Sequence, residues 1–202
     1  MRVRSVLATV VALALVVAPA TGAMAKAKPK PKPKTYCNLL SDKSDDGNWF
    51  VPGVSSANLD VLGGDLATGA KTMVATLKLR DTTYTPTADK WTNLGYSWRF
   101  GVQSSLGQTY VFNAKLSIAG VLSGSATVAG AGVPVTFTLD NAKHTFKWVL
   151  KRSDAKDLAR PKNVFHGFYA NSYVESSSAD STDPTPASLT YPDRGLSCLK
   201  PA

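Results

Sequence analysis

The 202-residue chain is poor in the residues from which most active sites are built: two cysteines, two histidines and three methionines. It has no His-Glu-x-x-His, which argues against a zinc hydrolase of that type, and no Gly-x-Ser-x-Gly nucleophile elbow. Ser153-x-x-Lys156 matches one element of a serine-acyltransferase set, but the partner motifs are missing, so the match is read as chance. Carboxylates such as Asp60 and Asp65 are not paired by sequence for glycosidase work. A long amphipathic helix and an internal repeat are also lacking, which leaves an α/β architecture almost without support. Beyond the first apolar run no segment is apolar enough to cross a bilayer. The expectation is a non-catalytic protein without a transmembrane segment.

The formal charge of +9 looks like a nucleic-acid signal until it is divided. Removing Arg2, Arg4 and the lysines at 26, 28, 30, 32 and 34 leaves 16 basic against 14 acidic residues, so the remainder is nearly neutral. The excess is a tail and not a basic face, and nucleic acid is not expected as a partner.

What is present begins with three-part processing chemistry. Arg2 and Arg4, an apolar run over residues 6–17 and the small-residue site Ala23-Met24-Ala25 have the form of a Sec signal peptide, expected over residues 1–25. No cysteine follows the run to take a lipid anchor. The protein is therefore expected to be secreted or associated with the cell envelope. Residues 26–34 alternate lysine and proline in an extended, self-repelling spacer. It is either a solvated linker or a contact to anionic envelope polymer or membrane surface. Residues 35–202 form the expected domain. Its two cysteines, Cys37 and Cys198, read as a disulfide in an exported chain. Such a bond closes a loop of about 160 residues and stabilises by about 5 kcal/mol in the chain-entropy model. It requires the first and last strands to lie close together.

The domain reads as strands. Residues 59–81 have the pattern of a hairpin: Met73, Ala75, Leu77 and Leu79 alternate with Thr72, Thr76, Lys78 and Arg80. In its first arm Leu59 and Val61 share a parity that Leu66 does not, and Gly63-Gly64 is placed where a bulge restores the inward direction. A second hairpin alternates Leu94, Tyr96, Trp98, Phe100 and Val102, turns at Ser-Ser-Leu-Gly, and returns through Tyr110, Phe112, Ala114, Leu116 and Ile118. Weaker strands are expected near 124–128 and 133–139, and a stronger one carries His144, Phe146, Trp148 and Leu150 on one face. Residues 36–40 read as a first strand, Ser153 as the N-cap of a short helical turn, and the aromatic run 163–175 as a strand buried on both faces. Residues 176–186 read as a loop. Eight or nine short strands at this spacing predict a single antiparallel β-sandwich.

Two loops carry candidate chemistry. Asp42, Ser44, Asp46 and Asn48 place oxygens at alternate positions around Gly47, as the first half of a calcium loop does. The position of the closing bidentate Glu is Gly53, so a structural calcium completed by Asp60 or Asp65 stands beside an ordinary Asx-rich turn. Trp98 and Trp148 belong to apolar rows and are expected in the core. Trp49 and Trp91 lie in loops, where an indole either stacks on a sugar ring or caps a sandwich end.

Cys37-Asn-Leu-Leu-Ser-Asp42, Asp46-Gly47, Leu59-Asp60-Val61, Asp65-Leu66-Ala67-Thr68 and Lys71-Thr-Met-Val-Ala-Thr-Leu together resemble a group of secreted actinobacterial proteins of unassigned function. Their β-sandwich is similar to the DOMON-like and family 9 carbohydrate-binding-module group. The resemblance implies sugar binding through aromatic faces. It also raises haem through Met and His ligands, but the spacing of Met73, His144 and His166 does not support it. The chain thus reads as a secreted, non-catalytic β-sandwich that binds carbohydrate, such as cell-wall polysaccharide, or envelope polymer. A structural or protein-interaction domain is the alternative, and an unrecognised hydrolase the third reading.

Overall fold

The central hairpin forms as expected. In the computed structural model, which describes residues 39–43, 56–82, 95–117, 119–155, 158, 163–174, 177–181 and 189–193, it comprises β2 (Val61–Thr68) and β3 (Thr72–Leu79). The register runs from Val61 opposite Leu79 to Thr68 opposite Met73 and shifts between Val61 and Gly63. That shift is the expected bulge. It lets Val61, Leu66 and Thr68 all point inward despite their mixed parity. Gly69 N donates to Thr72 O at 2.8 Å to close the turn.

Around this hairpin lie β1 (Leu40–Ser41), β4 (Tyr96–Ser104), β5 (Thr109–Leu116), β6 (Leu122–Val128), β7 (Ala131–Val133), β8 (Val135–Asp140), β9 (Thr145–Lys151), β10 (Val164–Val174), β11 (Ser177–Ser181) and β12 (Tyr191–Pro192). A five-stranded sheet has the order β1-β2-β3-β9-β8. A seven-stranded sheet has the order β11-β10-β4-β5-β6-β7, with β12 beside β10. Every pairing is antiparallel, and the described residues contain no α-helix. The protein is an all-β chain of two antiparallel sheets, consistent with a sandwich. All described residues belong to the unit Pro33–Ala202.

The two inner faces are the expected apolar rows. Tyr96, Trp98, Phe100 and Val102 on β4 and Tyr110, Phe112, Ala114 and Leu116 on β5 are buried against Met73, Leu77, Phe146, Trp148 and Leu150 of the other sheet. Trp98 and Phe146 meet across the sandwich with ring centroids 4.9 Å apart, and Phe112 meets Trp148 at 6.0 Å. Each such buried side chain contributes about 1.5–3 kcal/mol. Both indoles are also satisfied: Trp98 Nε1 donates to Asn58 O (2.8 Å) and Trp148 Nε1 to Asn113 O (3.0 Å). Ser172, a hydroxyl in an otherwise apolar row, donates to Leu59 O at 2.6 Å.

The expectations fail at definite places. The described strands number twelve, not eight or nine. One cause is Pro134, which has no N–H to donate and divides the expected strand 133–139 into β7 in one sheet and β8 in the other. Another is β11, an edge strand within the expected loop 176–186. The first strand is Leu40–Ser41 and not 36–40 as far as the described residues reach. The 3-10 turn Arg152–Asp154 has Lys151 and not Ser153 at its N-cap. His144 lies in the turn before β9 with φ 52°, not on an apolar strand face. Finally, β10 is not buried on both sides: Phe165, Phe168, Ala170, Ser172 and Val174 point inward, whereas His166, Tyr169, Asn171 and Tyr173 are only half-buried. A register shift between His166 and Tyr169, with Gly167 at φ 60°, brings both Phe165 and Phe168 to the inner face.

Candidate functional site

Cys37, Cys198, Trp49, Trp91, Ser44, Asp46 and Asn48 lie outside the described residues, as does Lys156. Asp42 continues the edge of β1, its N–H donating to Leu62 O (3.2 Å) and its Oδ1 accepting from Lys43 N (2.9 Å). Asp60 is buried, with its carboxylate 3.8 Å from the Arg80 guanidinium. Asp65 lies on the outer face of the first sheet, where its Oδ1 accepts from Leu66 N at 2.8 Å. Among the described residues no three His, Cys, Asp or Glu side chains are grouped as metal ligands. The haem set does not converge either: Met73 is fully buried opposite Leu150, His144 sits in the turn at the far end of the same strand pair, and His166 belongs to the other sheet.

The outer face of the seven-stranded sheet is where side chains of one chemistry collect. Pairing places Tyr169, Gly101, Val111 and Thr127 in one row across β10, β4, β5 and β6. Asn171, Arg99, Asn113 and Ser125 form the next, and Tyr173, Ser97, Lys115 and Ser123 the third. Strand spacing and rise make this a surface of roughly 14 by 13 Å. A Cβ at Gly101 would fall on Cζ, Cε1 and Oη of Tyr169, so glycine is what allows the ring to lie down across the sheet. At the other end Arg99 stacks over Tyr173, with Cζ 5.4 Å from the ring centroid, while its Nε donates to Asn113 Oδ1 at 3.3 Å. Burial raises the Tyr169 phenol above its ordinary value; the Arg99 charge pulls it back and Tyr173 adds a smaller rise. The hydroxyl therefore stays protonated and available as a donor at neutral pH.

A second feature is an apolar cavity of about 300 Å³ at one end of the fold, walled by Leu79, Trp98, Leu116, Leu122, Leu139 and Phe146. On its rim Thr82 Oγ1 donates to Asn141 Oδ1 (3.1 Å) and lies 3.3 Å from His144 Nδ1, which is 3.6 Å from Asp81 Oδ1. Thr, His and Asp are the residues of a nucleophile relay, but a relay needs the hydroxyl and the carboxylate on different ring nitrogens. Here both face Nδ1, and the hydroxyl proton is already directed to Asn141. The cluster ties the turn before β9 to the end of β3.

The tyrosine face was missed because aromatics at both parities suggested burial on both sides. The available signal was the split between Phe165 and Phe168 on one side and Tyr169, Asn171 and Tyr173 on the other, once a bulge is allowed at Gly167. No protein-family model matches the chain, and no curated protein matches it. What the structure defines is a class of architecture, two antiparallel sheets with one polar, tyrosine-bearing outer face. Among the described residues no helix is long and apolar enough to cross a membrane.

Proposed function

We propose that this protein is a secreted, non-catalytic carbohydrate-binding module that lays an extended glycan along the outer face of its seven-stranded sheet. The observation that carries the reading is Tyr169 held flat over Gly101 within rows of Asn, Ser and Thr side chains. A flat ring offers a face to sugar C–H groups, and neighbouring amides and hydroxyls match sugar hydroxyls. The position of Thr82 and Asp81 on one nitrogen of His144 supports the non-catalytic part. The signal-peptide pattern and the Lys-Pro spacer support action outside the cell, and the resemblance to DOMON-like and family 9 carbohydrate-binding sandwiches agrees with it. A Cys37–Cys198 clasp completes the proposal, with the Asp42 loop either a calcium site or an ordinary Asx-rich turn. The clasp is checked by a mass deficit of one hydrogen per cysteine and by melting that falls with reductant, and calcium by melting that falls again with chelator.

Retention on insoluble cell-wall polysaccharide tests the site. Wild-type protein is expected to be retained, and Tyr169→Ala and Tyr173→Ala to be released. If both variants stay bound while Trp49→Ala or Trp91→Ala is released, the loops and not this face carry the binding. Absence of retention on any glycan refutes the reading.

A further inference from the structure

We infer that the glycan read by this face is acidic, carrying carboxylate or phosphodiester groups; the inference rests on the carbohydrate-binding reading above. The fold treats its three described arginines differently. Arg80 faces the Asp60 carboxylate, and Arg152 grips Asp193 with both terminal nitrogens. Among the described residues Arg99 meets no carboxylate. It is braced by two neutral groups, the Tyr173 ring and the Asn113 amide. Ordering a long exposed side chain costs entropy, and solvent alone gives no reason to hold it. These braces fix the guanidinium without cancelling its charge, and with Nε engaged, Nη1 and Nη2 are left as the fork that matches a carboxylate or phosphate.

The surroundings agree. Lys115 lies two residues from Asn113 on the same face of β5, opposite Ser97, and so stands diagonal to Arg99. Strands β4, β5, β6 and β10 contain no acidic residue at all. The outer face of the five-stranded sheet differs, mixing Asp65 and Asp140 with Lys147. One end of the tyrosine face is therefore neutral, around Tyr169 and Gly101, and the other is cationic, around Arg99 and Lys115. A sugar ring fits the first and an acidic substituent the second. Two cations are few for a nucleic-acid backbone, whose binders neutralise about six to ten phosphates.

The test is titration of the full chain with oligogalacturonate, a glycerol-phosphate polymer, neutral dextran and duplex DNA, at low and high salt. The lysine tail is common to wild type and variants, so the variants report this face alone. One acidic polymer is expected to bind at least about tenfold more tightly than dextran, with the difference shrinking at high salt. Arg99→Gln is expected to remove about tenfold of that affinity and so to close most of the gap between the acidic polymer and dextran measured on the same variant, and Arg99→Lys to restore only part of that gap, since lysine keeps the charge but not the fork. Whichever acidic arm binds shows which group is read. Equal affinity for dextran and both acidic polymers, or an Arg99→Gln protein as tight as wild type, overturns the inference and leaves the carbohydrate reading standing. DNA bound as tightly as the best glycan overturns it as well. Binding to no glycan overturns the reading beneath it.

Discussion

Replacing Gly64 with alanine places a methyl group 2.7 Å from Cε2 and 2.9 Å from Cδ2 of Phe100, a ring with no solvent exposure. Phe100 is held between Phe112 and Phe168, each 6.3 Å away between centroids, and has nowhere to swing. Overpacking of this kind costs about 1–3 kcal/mol. Both contacts are with a ring that cannot move, which puts the cost at the upper end, about 2–3 kcal/mol; loss of glycine's backbone freedom offsets about 0.5–1 kcal/mol, so the net cost is about 1–2.5 kcal/mol. For a domain of this size that lowers Tm by about 2–10 °C. Gly101→Ala makes the same chemical change under the other aromatic ring, with the opposite consequence. The atoms it meets are the far end of the half-exposed Tyr169 side chain, which can lift off the sheet. Its stability should stay within about 0.5 kcal/mol of wild type, while glycan retention falls to the level of Tyr169→Ala. Thermal unfolding and retention on the same two proteins decide both points. A Gly64→Ala protein as stable as wild type would refute the packing of β2 on β4. A Gly101→Ala protein that still binds when Tyr169→Ala does not would show that the flat pose of the ring is irrelevant.

Three further outcomes follow from local geometry. Asp193 is buried against Arg152, whose Nη1 reaches Oδ1 at 3.0 Å and whose Nη2 contacts Oδ2 and Leu158 O. Asp193→Ala should cost about 3–5 kcal/mol in denaturant unfolding, and an apolar replacement of both partners should recover most of it. Ala129 and Gly130 form the β6–β7 turn with φ of 52° and 81°; Ala129→Gly should stabilise the fold by about 0.5–1 kcal/mol, read as a higher denaturation midpoint at unchanged slope, because glycine enters that region without strain. The raised Tyr169 phenol binds its proton more tightly folded than unfolded. Its contribution to stability is therefore intact below the unfolded value of about 10 and is lost as pH rises through the folded one. Unfolding followed from neutral to strongly alkaline pH should show a smaller alkaline loss for Tyr169→Phe than for wild type.

How much of this was legible varies by element, and the reason is physical each time. The β2–β3 hairpin was readable to the presence of a bulge because burying Val61 and Leu66 together requires one extra residue between them, and the Gly63-Gly64 pair pointed to its neighbourhood; the shift itself falls between Val61 and Gly63. The β4–β5 rows were readable because nothing interrupts their alternation. His144 was misplaced because the alternation of Phe146, Trp148 and Leu150 was extended one step too far, into a turn where Asp140 Oδ1 accepts from Lys143 N at 3.1 Å. Histidine tolerates the left-handed backbone found there better than most residues. In β10 the same device as in β2, a bulge at glycine, went unread, and with it the tyrosine face. Arg99 gave no sign at all. Its brace joins residues from β4, β5 and β10, and cross-strand partners at that separation are invisible to periodicity.

The corner at Pro134 also bears on how the chain reaches its fold. Pairings β4–β5, β5–β6, β6–β7 and β8–β9 all join sequence neighbours, and one residue carries the chain from the seven-stranded sheet to the five-stranded one. Loop closure is cheap throughout this stretch, whereas joining β3 to β9 and β10 to β4 requires long loops. A nucleus spanning Tyr96–Lys151 would thus hold strands of both sheets before either end of the chain arrives. On that ordering the early template would be a folded-over meander, and the N-terminal hairpin and β10 would add later to its two open flanks.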